Sequence, residues 1–219
     1  MTAGMPVAAV ILAGGEGRRF GGPKALARED GRTWLEIALA TIARAGLEWA
    51  SVVVGAAADE VMTHGVGRAL DPSPRVSWVR NDDWRAGRTG SLARGLADLP
   101  EWAEAALIHQ VDFPHVAAET MRRLARACTE DVARTEHLFV PVQGGRRGHP
   151  IVIGRAVWRE IAALRADEPL HLVVRRDPAR VIEVAVDDPG IHENVNRPAA
   201  AESLPEARES AGPLREEGK

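Results

Sequence analysis

The chain is predicted to form a three-layer α/β/α fold around a mostly parallel central sheet. Three observations lead there: recurring short apolar runs rich in β-branched residues, helix-period segments between most of them, and a length of 219 residues at 45% hydrophobic and 27% charged. Such a chain can bury one sizeable core. Strands that alternate with helices need crossover connections, and these give a parallel sheet covered on both faces with right-handed crossovers.

The strand candidates, in order, are "PVAAVILA" (6–13), "ASVVVG" (50–55), "RVSWV" (75–79), "AALIHQV" (105–111), "HLFVPV" (137–142), "PIVIG" (150–154) and "RVIEVAV" (180–186). "TWLEIALATIARAG" (33–46) sets Leu35, Ile37, Leu39 and Ile42 largely on one side of a helix, and Gly46 supplies its stop. "SLARGLADL" (91–99) and "AAETMRRLARAC" (117–128) carry the same period. Residues 1–198 read as one domain. From 199 to 219 the apolar pattern gives way to charged residues and prolines, which reads as a mobile tail.

Formal net charge is −3, so general electrostatic affinity for nucleic acid is not expected and any anion site must be local. Cys128 is the single cysteine; it rules out an intrachain disulfide, and its helical spacing with Leu124 reads as a packed thiol. The first residues lack a basic stretch, and their apolar run is broken by glycines after about seven residues, too short for a signal or a membrane span. A cytoplasmic protein without a membrane partner is expected.

Ligands of open parallel sheets gather at the carboxyl ends of the strands, which draws residues 12–24, 80–91 and 109–115 together. The first of these lies in "ILAGGEGRRFGGPKAL" (11–26), with five glycines, two arginines and one lysine. Glycines between a strand and a helix aim backbone N–H groups at phosphates. Two familiar glycine loops fail here. G-x-G-x-x-G meets Phe20 at its third glycine, and the acidic residue expected to close the second strand is replaced by Gly55. The P-loop spacing fails because Pro23 separates Gly22 from Lys24 and Ala25 stands where a Ser or Thr is needed.

The remaining pattern, L-A-G-G-x-G-x-R-F-G-x-P-K, resembles the signature loop of the MobA-like NTP transferase family, with Gly17 in place of the family's frequent Ser. "RNDDWRAGRTGSLARGL" (80–96) is similar to the family's stretch for base and ribose, matching at Asn81, Trp84, Gly87, Gly90, Ser91 and Leu92. Ser91 reads equally as the N-cap of an ordinary helix. "LIHQVDFPHV" (107–116) is similar to the strand-end D-x-P segment and puts Asp112 where a carboxylate holds Mg²⁺. His109 and His115 read as structural or peripheral. "GGRRGHPIVIG" (144–154) carries the family's G-x-P element; Arg146, Arg147 and His149 suit either an anionic acceptor or a solvated basic hairpin. "DDPGIHENVNRP" (187–198) is similar to the closing motif but lacks its acidic pair after Pro198, leaving Asn196 as a carbonyl donor.

The resemblance implies a Rossmann-like sheet of the nucleotide-diphospho-sugar transferase type and an Mg²⁺-dependent nucleotidyltransferase. It would move NMP from CTP or GTP to a small phosphorylated acceptor, molybdopterin or the molybdenum cofactor by family default, with release of pyrophosphate. A sugar phosphate or another small phosphate is a live alternative acceptor, and a nucleotide-binding regulator without turnover is an alternative to an enzyme. "LAGG" is similar to the guanylyltransferases, whereas "GHP" and "GRTGSL" are similar to the cytidylyltransferases. The implied nucleotide-binding residues are Leu12, Ala13, Gly14, Gly15, Gly17, Lys24, Asn81, Gly90 and Ser91. Arg19, Lys24 and Asp112 are the implied catalytic residues, Asp112 and Asn196 the metal ligands. A molybdoenzyme or a chaperone is the implied protein partner.

Overall fold

The computed structural model describes residues 5–64 and 74–196. The tail expected over 199–219 lies outside the described residues. The chain enters the sheet with β1 (Val7–Leu12), forms a small antiparallel pair from β2 (Arg28–Glu29) and β3 (Arg32–Thr33), and runs into α1 (Trp34–Ala45). There follow β4 (Trp49–Val54), α2 (Ala58–His64), β5 (Arg75–Arg80), α3 (Arg88–Ala97), β6 (Ala105–Gln110) and α4 (Ala118–Glu130). The last third holds β7 (Leu138–Gln143), β8 (Arg146–Arg147), β9 (Ile151–Gly154), α5 (Arg155–Ala162), α6 (His171–Arg176) and β10 (Val181–Ala185).

The main sheet has eight strands, with order β10-β7-β9-β6-β1-β4-β5 and β8 paired to β7. β1 lies parallel to β4 and β6, β4 to β5, and β7 to β10. β9 is antiparallel to both β6 and β7, and β8 is antiparallel to β7. All seven predicted strands and the three predicted helices are present. The helix expected from residue 91 begins at Arg88, so Ser91 lies inside it and is not its N-cap.

Strand residues alternate between two cores. Val7, Ala9 and Ile11 face a cluster with Leu35, Leu39 and Ile42 of α1 and Met121 and Leu124 of α4. Ala8 and Val10 face Leu92 and Leu96 of α3 and Val157 and Ile161 of α5. Burial on both faces is why these strands read as continuous apolar runs. α1 starts at a capping box between Thr33 and Glu36 and stops at Gly46, whose φ of 88° suits glycine. Cys128 is fully buried among α4 residues, and burial pushes its thiol pKa up to about 12, so it is a packing residue.

Every strand of the main sheet except β8 and β9 points the same way, so the loops after β1, β5 and β6 open on one edge. The segment after β10 returns to that edge. Asp188 fixes it: one carboxylate oxygen accepts from the Ala117 N–H and the Thr120 hydroxyl at the start of α4, the other from the Gly190 N–H. The His149 N–H donates to the Ile191 carbonyl and the Val195 N–H to the Asp112 carbonyl, both at 2.9 Å. Among the described residues no helix is long and apolar enough to cross a membrane.

His109 on β6 is fully buried, and its Nδ1 has no hydrogen-bond partner. Burial pushes its pKa down to about 4, against a smaller opposing pull from Asp112. The unfolded imidazole takes up a proton near 6.5 and the folded one only near 4. Stability present above pH 6.5 is therefore lost as pH falls, by at most about 3 kcal/mol from this residue. Urea unfolding of His109→Gln at pH 4.5, 5.5 and 6.5 is expected to give a shallower acid slope than the wild type; parallel curves would contradict this.

Candidate active site

The turn after β1 is held by its own backbone. The N–H groups of Phe20, Gly21 and Gly22 all donate to the Gly17 carbonyl, at 2.8, 3.0 and 3.3 Å. Gly17 has φ of +64°, and a Cβ there would lie 1.8 Å from the Gly22 carbonyl oxygen, so only glycine closes this turn. The Ala13 N–H donates to Val53 at 2.9 Å and is committed to the sheet. Among the described residues the N–H groups from Gly14 to Arg19 have no backbone acceptor, and Gly14, Gly15 and Gly17 are the glycines of this turn that face the cleft below.

The close approach of Gly14 and Gly55 also bears on the dinucleotide pattern. A Cβ at Gly55 would come within 2.6 Å of Trp84 Cβ and 2.8 Å of the Gly14 carbonyl oxygen. An acidic side chain closing β4 has no room.

The chain turns through a short 3₁₀ segment, Lys24–Leu26, that directs Lys24 back over the edge of the sheet. Its ammonium donates to Asp112 Oδ2 at 3.0 Å and to Asn196 Oδ1 at 2.8 Å. Lys24 and Asp112 are both largely covered, with side chains 17% and 16% exposed. Asn194 Nδ2 donates to the same Asp112 oxygen at 3.1 Å. A carboxylate and an amide oxygen thus converge on one positive centre, which is the donor set a hard divalent cation takes when phosphates complete its shell. Among the described residues no group of three or more His, Cys, Asp or Glu is placed to hold a metal.

These groups line a cleft of about 310 Å³. Leu12, Ala13, Gly14, Gly15, Gly17, Lys24, Ser91, Asp112 and Asn196 all face it. Three expected residues do not. Arg19 is exposed on the turn and lies outside the lining. Asn81 is buried and acts on the loop after β5: its amide donates to Ser91 Oγ at 2.8 Å, and its carbonyl oxygen accepts from the Asp83 N–H at 3.1 Å. Gly90 sits where a Cβ would press to 3.1 Å from Ala166 Cβ, so its smallness serves the packing of residues 163–170 on α3.

Sequence reasoning left out Arg88, Gln110 and, as a lining residue, Trp84. Arg88 Nη1 donates to Gln110 Oε1 at 3.0 Å across the end of β6. Trp84 lay inside a recognised stretch, so its match was the available signal; Arg88 occupies a variable position and gave none. Arg146 and Arg147 form the exposed β8, and Arg147 Nε pairs with Glu183 at 2.8 Å. His149 instead packs tilted against Phe113, with ring centroids 5.0 Å apart. Burial and then the Arg88 charge lower its pKa, which favours a neutral imidazole. His115, exposed, bridges Glu193 at 2.9 Å and Glu29 at 3.1 Å, joining the β2–β3 pair to the C-terminal segment.

The MobA-like NTP transferase domain matches residues 9–183. The chain belongs to this family. It is 32% identical over 195 residues to a protein of Paenarthrobacter nicotinovorans named nicotine blue oxidoreductase, covering 87% of this chain and 92% of that one. Among solved structures it is similar to a nucleotidyl transferase of Methanothermobacter, with TM-score 0.70, 25% identity and coverage of 87% and 92% of the two chains. It is also similar to Rv0371C of Mycobacterium tuberculosis in complex with manganese, with TM-score 0.66, 28% identity and coverage of 84% and 90%. This MobA-like domain thus has the fold of known nucleotidyltransferases, as its sequence predicted.

Gly17→Ala would place a methyl group against the Gly22 carbonyl in a left-handed backbone, a strain of about 1–3 kcal/mol that displaces the open amides. Affinity for nucleoside triphosphate, followed by calorimetric titration, is expected to fall tenfold or more. Wild-type affinity in a folded variant would contradict the assignment of this turn.

Proposed function

We propose that this MobA-like domain transfers a nucleoside monophosphate from CTP or GTP to a small phosphorylated acceptor and releases pyrophosphate. The observation that carries the reading is the meeting of the open-amide turn, through Gly14, Gly15 and Gly17, with the Lys24–Asp112–Asn196 cluster in one cleft. Molybdopterin is the acceptor implied by the sequence resemblance, and a sugar phosphate or other small phosphate fits the same reaction. Residues 1–198 form the catalytic domain in this reading, and the protein works in the cytoplasm.

An acceptor phosphate is already ionised near pH 7, so its oxygen attacks the α-phosphorus without a general base. The bond from the α-phosphorus to its bridging oxygen breaks, and that oxygen leaves with the pyrophosphate. What the protein must supply is alignment and charge neutralisation. The amides of Gly14 to Gly17 receive the triphosphate oxygens. Lys24 exchanges its bond to Asp112 for phosphate, and each such cation–phosphate contact at 4 Å has a Coulomb value of about 4 kcal/mol at an effective dielectric of 20. Arg19, exposed beside the turn, is placed to reach the polyphosphate only by swinging inward. With Lys24 turned to the phosphates, Asp112 and Asn196 are the residues that would hold Mg²⁺. The bound ion would neutralise polyphosphate charge; the manganese complex of a structural relative supports a divalent cation here.

The named oxidoreductase among the relatives favours a second reading, electron transfer from a nicotinamide dinucleotide. Phe20 and the closed space at Gly55 weigh against it. A thermal-shift panel with CTP, GTP, ATP, UTP and NADH, each with Mg²⁺, separates the two, because a bound ligand raises stability by mass action. A shift with CTP or GTP supports transfer; a shift with NADH alone would replace it.

Lys24→Ala is expected to lower turnover, read as pyrophosphate release, by about a hundredfold or more. Its melting temperature should change much less than its activity. Wild-type turnover in this variant would overturn the role of Lys24.

A further inference from the structure

A second cavity, of about 620 Å³, adjoins the nucleotide cleft, and the two meet at Leu12, Arg88 and Gln110. Its volume suits a small organic ligand. Its floor is made by the ends of three strands, Ile108 of β6, Val140 of β7 and Ile151 of β9, and its sides by Leu92 of α3 and Leu170 and Val174 at α6. Residues 163–170 hold the far wall in place by packing on Gly87 and Gly90.

Most polar groups around this cavity are already engaged. The Thr89 hydroxyl donates to the Glu168 carbonyl, Arg147 pairs with Glu183, and Asp167 pairs with Arg165 at 3.3 Å. Arg88, Gln110 and His149 remain at the neck, where Gln110 Nε2 lies 3.5 Å from the His149 ring nitrogens. Positive charge and amide donors thus stand on the side that faces the nucleotide, exposed Asp167 and His171 add polar groups on the opposite wall, and hydrocarbon from Leu92, Ile108, Val140, Ile151 and Val174 lines the interior between them. A ligand with hydroxyl groups all round would lose their water in that interior without gaining partners, which is strongly unfavourable.

We infer that this cavity is the acceptor site and that the acceptor is a phosphomonoester carried on an apolar body, an aromatic ring or a short hydrocarbon, rather than a polyhydroxylated sugar phosphate. The inference rests on the transfer reading above and narrows its acceptor. The phosphate sits at the neck against Arg88 and Gln110, within reach of the α-phosphorus, while the apolar body lies between Leu92, Val140, Ile151 and Val174. A phosphate oxygen forms the new bond to the α-phosphorus, the bond to the departing pyrophosphate breaks, and the product is a phosphoanhydride with no proton left to place.

Phenyl phosphate and glycerol 3-phosphate test it, since they carry the same head on opposite kinds of body. With Mg²⁺ and whichever nucleotide shifts the melting curve, phenyl phosphate is expected to give kcat/KM at least tenfold higher, measured as pyrophosphate release. Val174→Asp, on a half-buried position of α6, should remove that preference tenfold or more while nucleotide-induced thermal shifts stay as in the wild type. Equal or better use of glycerol 3-phosphate, or an unchanged preference in Val174→Asp, overturns the inference. Saturation-transfer NMR of phenyl phosphate with the protein alone separates the two readings. Binding lost in Val174→Asp, in a protein that binds no nucleotide, would defeat the transfer reading and leave standing only the cavity's preference for a phosphomonoester on an apolar body. Nucleotide binding without phenyl phosphate binding would defeat the cavity assignment alone.

Discussion

The ammonium of Lys24, held at 3.0 Å from Asp112 and 2.8 Å from Asn196, ties together segments 88 and 172 residues apart in the chain. Each partner comes from a different part of the fold: the glycine turn after β1, the end of β6, and the segment after β10. Burying a lysine and a carboxylate this far is costly unless their remaining hydrogen-bonding capacity is met, and Asn194 meets part of it. The same convergence makes the cluster responsive. In the proposed reaction a polyphosphate would offer Lys24 a stronger counter-ion than one carboxylate, and a divalent cation would offer Asp112 a stronger partner than one ammonium.

The sheet makes this arrangement unavoidable. With β1, β4, β5 and β6 parallel, the loops that follow them emerge on one edge, and β9 enters from that edge because it runs the other way. Asp188 then pins the returning C-terminal segment to the first turn of α4. Arg88 and Gln110 stand on the line between the two cavities, so the end of β6 and the start of α3 divide one from the other.

How far this was legible in the sequence follows from what each signal reports. The strands buried on both faces were readable because they are nearly unbroken β-branched runs, and α1 because Thr33 and Gly46 mark its ends. α2, α5 and α6 are only 7, 8 and 6 residues long, too short for a helical period to stand out, and the β2–β3 pair has two residues per strand. Within the site, Gly17, Lys24 and Asp112 were legible because their chemistry or backbone demand is local. Gly90 and Asn81 share the same recognisable stretch, yet one makes room for Ala166 and the other braces Ser91. Such tasks depend on partners 10 to 76 residues away, which spacing does not disclose. Ala13 was expected to offer its amide to phosphate, but parallel pairing with β4 extends one residue past Leu12 and takes that N–H.

In the proposed reaction the turn after β1 grips a triphosphate through bare backbone. Amide chemical shifts of the ¹⁵N-labelled protein, followed as CTP and GTP are added with Mg²⁺, read that contact directly. Gly14, Gly15, Glu16 and Gly17 are expected to shift earliest and furthest, with the residues around Asp112 following. A titration in which the nucleotide binds and these four amides stay in place would contradict it.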